Sequence, residues 1–395
     1  MQSGHCQSTV TCCSFDNFSE DKPHNQRIFA EMREMIDIVG GSIAGLSAGI
    51  AFEQLGFPTR IWERDNPIYS RDGHAFLVLG SALGSLQHLG IAEDLRNTSA
   101  NIQRGMYFDN KGDLIKSFDL QDTFGTRRID LVRILTSKYS GRLHYDCDLE
   151  KISFDNDNYT LEFQSGEISK ASTLIGADGA NSRIRKWLYP NHKLHTGGYL
   201  EIVGSCENAR IVKALDNSFQ KHFSQDHINE NHIAFGILPT GGDDLTWFLQ
   251  IPVTIPEQVN DLYNVESRVK FLQDLTANWS SLIAEAIEST DTHSTYVWRS
   301  GYMDLLHTFH FHNMFLIGDA CHPLLSMTSE GVNTALEDAI HLAQLFNDND
   351  LQDVGNLFYS NRKDVIADRI EYGKHLADRF TKHPEQWVQM VHLAD

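Results

Sequence analysis

A short apolar run, Met35-Ile-Asp-Ile-Val39, ends in Gly40-Gly-Ser-Ile-Ala-Gly45, and this junction constrains the fold more than any other segment. The stretch that follows, Leu46 to Leu55, is alanine-rich with helical spacing, and Gly56-Phe-Pro58 stops it. Thr59-Arg-Ile-Trp-Glu63 then reads as a second short strand. Strand, glycine turn, helix and strand in such a short span make a βαβ unit, hence a parallel sheet with a right-handed crossover. Gly40 and Gly45 fill the outer places of a nucleotide-binding glycine turn, while Ser42 holds the middle one, with Ile43 and Ala44 beside it. Serine narrows the clearance, but its hydroxyl can donate to a phosphate oxygen. A pyrophosphate would rest on the amides that open the helix, where dipole and free N–H groups favour an anion. Glu63 follows Gly45 by 18 residues and stands where an acid accepts the ribose hydroxyls. An acid there disfavours a 2′-phosphate, so the turn points to FAD or NAD rather than NADP. The plainer alternative is a structural turn with an exposed glutamate.

The balance of 33 basic against 53 acidic residues gives a formal charge of −20, which argues against binding nucleic acid. No apolar run approaches the roughly 18 residues that cross a bilayer, so no integral membrane segment is expected. The six cysteines form neither a disulfide framework nor a metal pair, and a reduced, cytoplasmic setting is the natural expectation. Residues 1–31 lack the order of a targeting signal and read as a disordered tail, or as sequence preceding a start at Met32 or Met35. The expected organisation is α/β: a Rossmann-type domain with an inserted antiparallel sheet and a C-terminal helix. Residues 32–70, 125–190 and 300–346 would form a discontinuous nucleotide-binding domain. Residues 71–124 and 191–299 would form a substrate domain, and 347–395 a closing helical segment. Within this plan Arg128–Tyr139 is a helix, Lys151–Phe154 and Tyr159–Phe163 a hairpin, and Ala171–Ile175 one buried strand.

Two further motifs carry chemistry. Phe315-Leu-Ile-Gly-Asp-Ala-Cys-His-Pro323 ends a buried strand in Gly318-Asp319, placing Asp319 at the carboxyl edge where α/β sheets bind ligands. The helix opening at Gly331-Val332-Asn333 would aim its positive end at the same crevice. Gly176-Ala-Asp-Gly-Ala-Asn-Ser-Arg-Ile-Arg185 is by itself a turn with a basic helix start.

In this order the segments resemble the class A FAD-dependent monooxygenases, with the para-hydroxybenzoate hydroxylase-like fold. The resemblance rests on the glycine turn with Glu63-Arg64, on Arg128, Leu131 and Leu135, on Gly176 to Arg185, on Gly318 to Pro323, and on Gly331 to Asp338. It implies FAD as cofactor, NADH or NADPH as electron donor, and molecular oxygen as co-substrate. It also implies that Asp319 holds the ribitol, that Asp178 and Gly179 lie near the pyrophosphate, that Arg128 approaches the flavin, and that Pro323 lines its substrate side. The reaction implied is hydroxylation or epoxidation of a hydrophobic, aromatic small molecule. Where the family carries Pro-x-x-Gly-Gln-Gly, this chain has Ser326-Met-Thr-Ser-Glu-Gly331. Glu330 would set a negative charge beside the flavin and oppose its anionic reduced form. That departure keeps open a dehydrogenase or reductase without oxygen insertion, or a non-catalytic flavin-binding protein.

Substrate contacts are expected from His74, Phe76, Trp247 and Pro323. For Trp247 and its strand neighbour Phe235, burial in a core is the favoured role. His307, His310, His312 and His322 lack a completing carboxylate or thiolate, so they read as packing or solvated histidines rather than metal ligands. Neither the substrate's identity nor the oligomeric state is legible.

Overall fold

A computed structural model describes residues 33–66, 75–224, 233–253, 261–276 and 279–382. His74 therefore lies outside the described residues, as does the expected tail. In chain order the first half gives β1 (Ile36–Val39), α1 (Ile43–Gln54), β2 (Thr59–Trp62), β3 (Ala75–Val78), α2 (Leu83–His88) and α3 (Ala92–Thr98). Then come β4 (Ala100–Asp109), β5 (Leu114–Arg127), α4 (Arg128–Lys138), β6 (Arg142–His144), β7 (Leu149–Asp155) and β8 (Asn158–Phe163). β9 (Ile168–Ala171), β10 (Thr173–Gly176) and α5 (Arg183–Leu188) complete that half. The second half holds β11 (His195–Thr196), β12 (Tyr199–Glu207), α6 (Ala209–Leu215), β13 (Ser218–Phe223), β14 (Ala234–Gly241) and β15 (Asp244–Pro252). It continues through α7 (Val265–Thr276), α8 (Ser281–Glu288), β16 (Tyr296–Trp298), β17 (Gly301–Tyr302), β18 (His310–Phe311) and β19 (Met314–Leu316). Two long helices close the described chain, α9 (Gly331–Asp348) and α10 (Leu351–Lys382).

The first strands are short and almost wholly buried because both sheet faces are covered, as a parallel sheet requires. β19, β10, β1, β2 and β6 lie parallel in that order, and β18 adds an antiparallel edge. β1 is central, and α1 and α9 pack together over it. One polar residue interrupts the run: Asp37 is 1% exposed and accepts Trp62 Nε1 at 2.7 Å and Arg60 Nε at 2.8 Å. The expected single strand at Ala171–Ile175 is in fact two. Its first residue ends β9, whose side chains alternate between exposed and buried in the β7-β8-β9 meander. The rest forms β10, buried throughout beside β1.

The second sheet has eight strands in the order β16-β12-β15-β14-β13-β4-β5-β3. It is antiparallel except where β13 runs parallel to β4, so the expected purely antiparallel insert is a mixed sheet. Its two faces sort by residue parity, as pleating demands. Leu200, Ile202, Phe235, Ile237, Trp247 and Leu249 point to one side, under α6, α7 and α8. Tyr199, Phe219, Phe223, Leu238 and Phe248 point to the other, toward Leu325, Met327 and the α10 residues Leu376 and Phe380. That second face looks onto the loop preceding α9.

Candidate active site

The glycine turn is built by steric exclusion. Gly40 has φ +108°, and a Cβ there would sit 2.2 Å from the carbonyl oxygen of Ala177. A Cβ on Gly45 would lie 1.8 Å from the oxygen of Gly40. Both positions are therefore closed to any side chain. α1 starts at Ser42 with no side-chain cap, so its opening amides remain available to an anion. Ser42 Oγ accepts Arg128 Nη2 at 2.7 Å, which brings Arg128 to the turn and leaves the serine proton free to donate. Glu63 folds back on the turn, accepting Gly41 N–H at 2.6 Å and Asp65 N–H at 2.8 Å. Its carboxylate thus stiffens the loop and keeps further lone pairs for a ribose. Ile43 is buried and Ala44 half-buried beside this turn. Asp178 adjoins Gly40, and its Oδ2 accepts the Arg183 and Ile184 amides of α5. Its other oxygen, Oδ1, is buried without a partner. Gly179, at φ +77°, leaves open space above it.

The second wall comes from the end of β19. Gly318 takes φ +54° and presses against Ala44 and Ala335, tying the Gly318–Asp319 turn to α1 and α9. A buried cluster fixes the turn from below. Asp338 on α9, fully buried, accepts Gly318 N–H at 3.0 Å, His322 Nε2 at 2.5 Å and Arg362 Nε at 2.9 Å. Burial alone would raise its pKa, but His322 and Arg362 hold the carboxyl down at about 2. From above, Arg185 Nη1 donates to the carbonyls of Asp319 and Ala320 at 2.9 and 2.8 Å. The Asp319 carboxylate itself accepts no hydrogen bond among the described residues and opens into the cleft. Cys321, 2% exposed, has its thiol pKa pushed well up by burial, so it is an inert packing residue.

α9 supplies the third wall. It begins at Gly331 without a side-chain cap, and nothing stands within 4 Å of the Cβ that Gly331 lacks. Val332 is buried, and Asn333 donates from Nδ2 to Ser81 Oγ at 2.8 Å while its Oδ1 has no partner. The segment that departs from the family pattern is accommodated. Ser329 takes φ +55° and ψ +16°, the left-handed conformation that glycine adopts most easily. Glu330 is a correction to the sequence expectation. Its carboxylate turns to α10 and pairs with Arg369 at 3.2 Å, so its charge is compensated instead of bare beside the cofactor.

Among the substrate-side candidates, Pro323 is buried next to the Gly318–Asp319 turn and Phe76 is half-buried on β3 against the first core. Trp247 is not at the site. It is fully buried on the far face of the eight-stranded sheet, stacked on Phe235 with ring centroids 5.3 Å apart, and donates to Thr290 Oγ1 at 2.8 Å. Its place in the strand pattern puts it on the face opposite to the cleft. Arg64 is exposed and paired with Asp65 at 3.3 Å, at the rim of the turn. Arg362 and Arg369 were missed. Arg362 bonds Asp338 and Glu337, and Arg369 bonds Glu337, Glu330 and Thr334. The available signal was two arginines seven apart, on one face of an amphipathic helix.

These features fit FAD. Two uncapped helix starts converge with a free carboxylate at Asp319, an orphaned acceptor at Asn333, and open space at Gly179 and Gly331. An elongated ligand with a phosphate centre, polyol hydroxyls and a ring that donates N–H matches that set.

The comparisons with known proteins agree. The family model described as FAD binding domain matches residues 33–348. A 6-hydroxynicotinate 3-monooxygenase from Bordetella bronchiseptica is 25% identical over 356 residues, covering 86% of this chain and 90% of the relative. Monooxygenase 1 of Arabidopsis thaliana is 28% identical over 323 residues, covering 78% and 77%. The crystal structure of Klebsiella pneumoniae HpxO with FAD and uric acid superposes with a TM-score of 0.79 at 19% identity, covering 90% and 92%, which speaks to fold alone. The glycine turn, the Gly318–Asp319 edge and the family match together establish that this chain belongs to the class A FAD-dependent monooxygenases.

Proposed function

We propose that this monooxygenase hydroxylates a planar aromatic or heteroaromatic small molecule, held between the flavin and the eight-stranded sheet. The observation that carries the reading is that the starts of α1 and α9 meet at the Gly318–Asp319 turn, while the sheet face of Phe219, Phe223, Leu238 and Phe248 packs toward Leu325 and Met327 of the segment leading into α9. Bound FAD, reduced by NADH or NADPH, would supply the chemistry that passes one atom of O₂ to the ring and releases the other as water. Asp319 accepts the ribitol hydroxyls, with its turn held by Asp338 and Arg185. The opening amides of α1, with Ser42 and Arg128, take the pyrophosphate. The opening amides of α9, uncapped at Gly331, would hold the pyrimidine edge, where the helix dipole favours negative charge. Asn333 Oδ1 accepts an N–H there, and the paired Glu330–Arg369 leaves that edge without a repelling charge. The sheet face excludes water from the ring, which protects reactive flavin from unproductive decay. Relatives named for acting on 6-hydroxynicotinate and urate support an aromatic substrate.

The test is NAD(P)H oxidation by holoenzyme across an aromatic panel under ¹⁸O₂, scoring label in product against peroxide released. Label in a hydroxylated product is expected, with one product per nicotinamide oxidised. Oxidation that yields peroxide alone with every ring would overturn oxygen insertion and favour a reductase.

A further inference from the structure

The flavin-facing side of the eight-stranded sheet carries a polar island that cofactor binding does not use. Glu201 on β12 stands opposite Gln250 on β15 in the antiparallel register. Both are buried, at 5% and 2% exposure. Strand parity puts them on the same face as Tyr199 and Phe248, and away from the core that takes Leu200, Ile202 and Leu249. Gln250 Nε2 donates to Glu201 Oε1 at 2.7 Å, and Ser326 Oγ donates to the same oxygen at 3.0 Å. Ser326 also meets Tyr199 OH at 2.9 Å, and its backbone N–H donates to Ser300 Oγ at 2.8 Å. Ser326 begins the segment leading into α9 and is itself exposed, so the island meets solvent at this residue.

Two acceptors in this island receive no hydrogen bond among the described residues. Gln250 Oε1 is buried with no hydrogen-bond partner. No hydrogen bond reaches Glu201 Oε2 among the described residues. A buried lone acceptor such as Gln250 Oε1 costs a folded protein free energy unless something donates to it. Burial pushes the Glu201 pKa up, against the hydrogen bonds from Gln250 and Ser326 and the pull of Lys221 on the same face, whose side-chain nitrogen lies over Phe223 and Phe248 at 5.8 and 5.9 Å. Around these groups the wall is apolar and aromatic. A site of this kind rewards a flat ring that offers an N–H or amino hydrogen, and it penalises a carboxylate, whose charge would meet Glu201.

We propose that Glu201, with Gln250, is the specificity-determining pair of this enzyme and selects aromatic rings that carry a hydrogen-bond-donating nitrogen on the edge turned to the sheet. This rests on the monooxygenase reading for the site's location, and its test is independent of turnover. Binding is read as perturbation of the oxidised flavin spectrum of holoenzyme, without NAD(P)H, using indole, its isostere indene, and 2-naphthoate. Indole should bind wild type at least about tenfold more tightly than indene, the worth of one hydrogen bond to a charged acceptor. The carboxylate 2-naphthoate should bind more weakly than either. Glu201→Gln should bring the indole-to-indene ratio below about threefold while indene affinity holds, because a carboxamide is a weaker acceptor. Gln250→Leu provides a second variant and should lower the same ratio. Equal binding of indole and indene, absence of indole binding, preference for 2-naphthoate, or a ratio unchanged in both variants would overturn the proposal. Peroxide-only turnover would instead defeat the oxygen-insertion reading and leave this selectivity intact.

Discussion

Replacing Asp338 by Asn keeps the size and one acceptor for Gly318 N–H, but removes the charge that His322 and Arg362 share. The carboxyl is held at about 2 in the fold against 3.8 for an ordinary aspartate. A difference approaching two pKa units is worth about 2 kcal/mol at neutral pH. The sign follows from the depressed folded value. The contribution is fully present above about pH 4 and is lost as pH falls through about 2. For a chain of this size we expect Asp338→Asn to lower Tm by about 2–3 °C near pH 7. The deficit should stay constant from pH 5 to 8 and shrink toward pH 2. Urea unfolding at fixed FAD supplies the free energy, and fluorescence titration supplies the FAD affinity, which should fall because Gly318–Asp319 loses its anchor. A variant within about 0.5 kcal/mol of wild type at pH 7, or a deficit that grows on acidification, would refute the account.

Asp319→Ala should weaken FAD binding by about 10- to 100-fold, the loss of one or two hydrogen bonds to a charged acceptor, measured by recovery of flavin fluorescence on dilution. Gly331→Ala has room for its methyl in the protein alone, so urea stability of the FAD-free chain should match wild type while FAD affinity drops; equal affinity would place the cofactor elsewhere. His222 is 2% exposed with neither ring nitrogen hydrogen-bonded, stacks on Phe108, and has its pKa pushed down to about 4 by burial. Wild type should therefore lose about 3 kcal/mol as pH falls from about 6.5 through about 4, and His222→Phe should lose markedly less over that window in acid-unfolding titrations.

The parallel half of the fold was legible because its signals are local. Glycines at 40 and 45, an alanine-rich helix and a short apolar strand admit one arrangement, and the structure reproduces it as β1–α1–β2. The same locality explains Gly318–Asp319, a turn that follows directly from a buried strand. What failed was long-range. Trp247 and Phe248 are adjacent, and only the pairing of β15 with β12 and β14 decides which faces the cleft. The parallel contact of β13 with β4 joins residues more than a hundred positions apart, beyond any turn signal. Glu330 looked like a bare charge because Arg369 lies on a later helix. The Glu201–Gln250 pair was invisible for the same reason, since each residue alone reads as a polar interruption in a strand.

Arg362 and Arg369 also set a timetable for how the protein is made. The cofactor cradle opens at Gly40, yet the cations that neutralise Asp338, Glu337 and Glu330 arrive only with α10, near the end of the described chain. Synthesis proceeds at about 5–20 residues per second, and early segments fold first. The nascent β1–α1–β2 unit must therefore wait tens of seconds with half a nucleotide site, while three acidic side chains emerge before their partners. Flavin loading thus becomes a late event on the ribosome or after release. A chain truncated before Arg362 would leave the exit tunnel with the Asp338 that holds Gly318 lacking one of its two cationic partners.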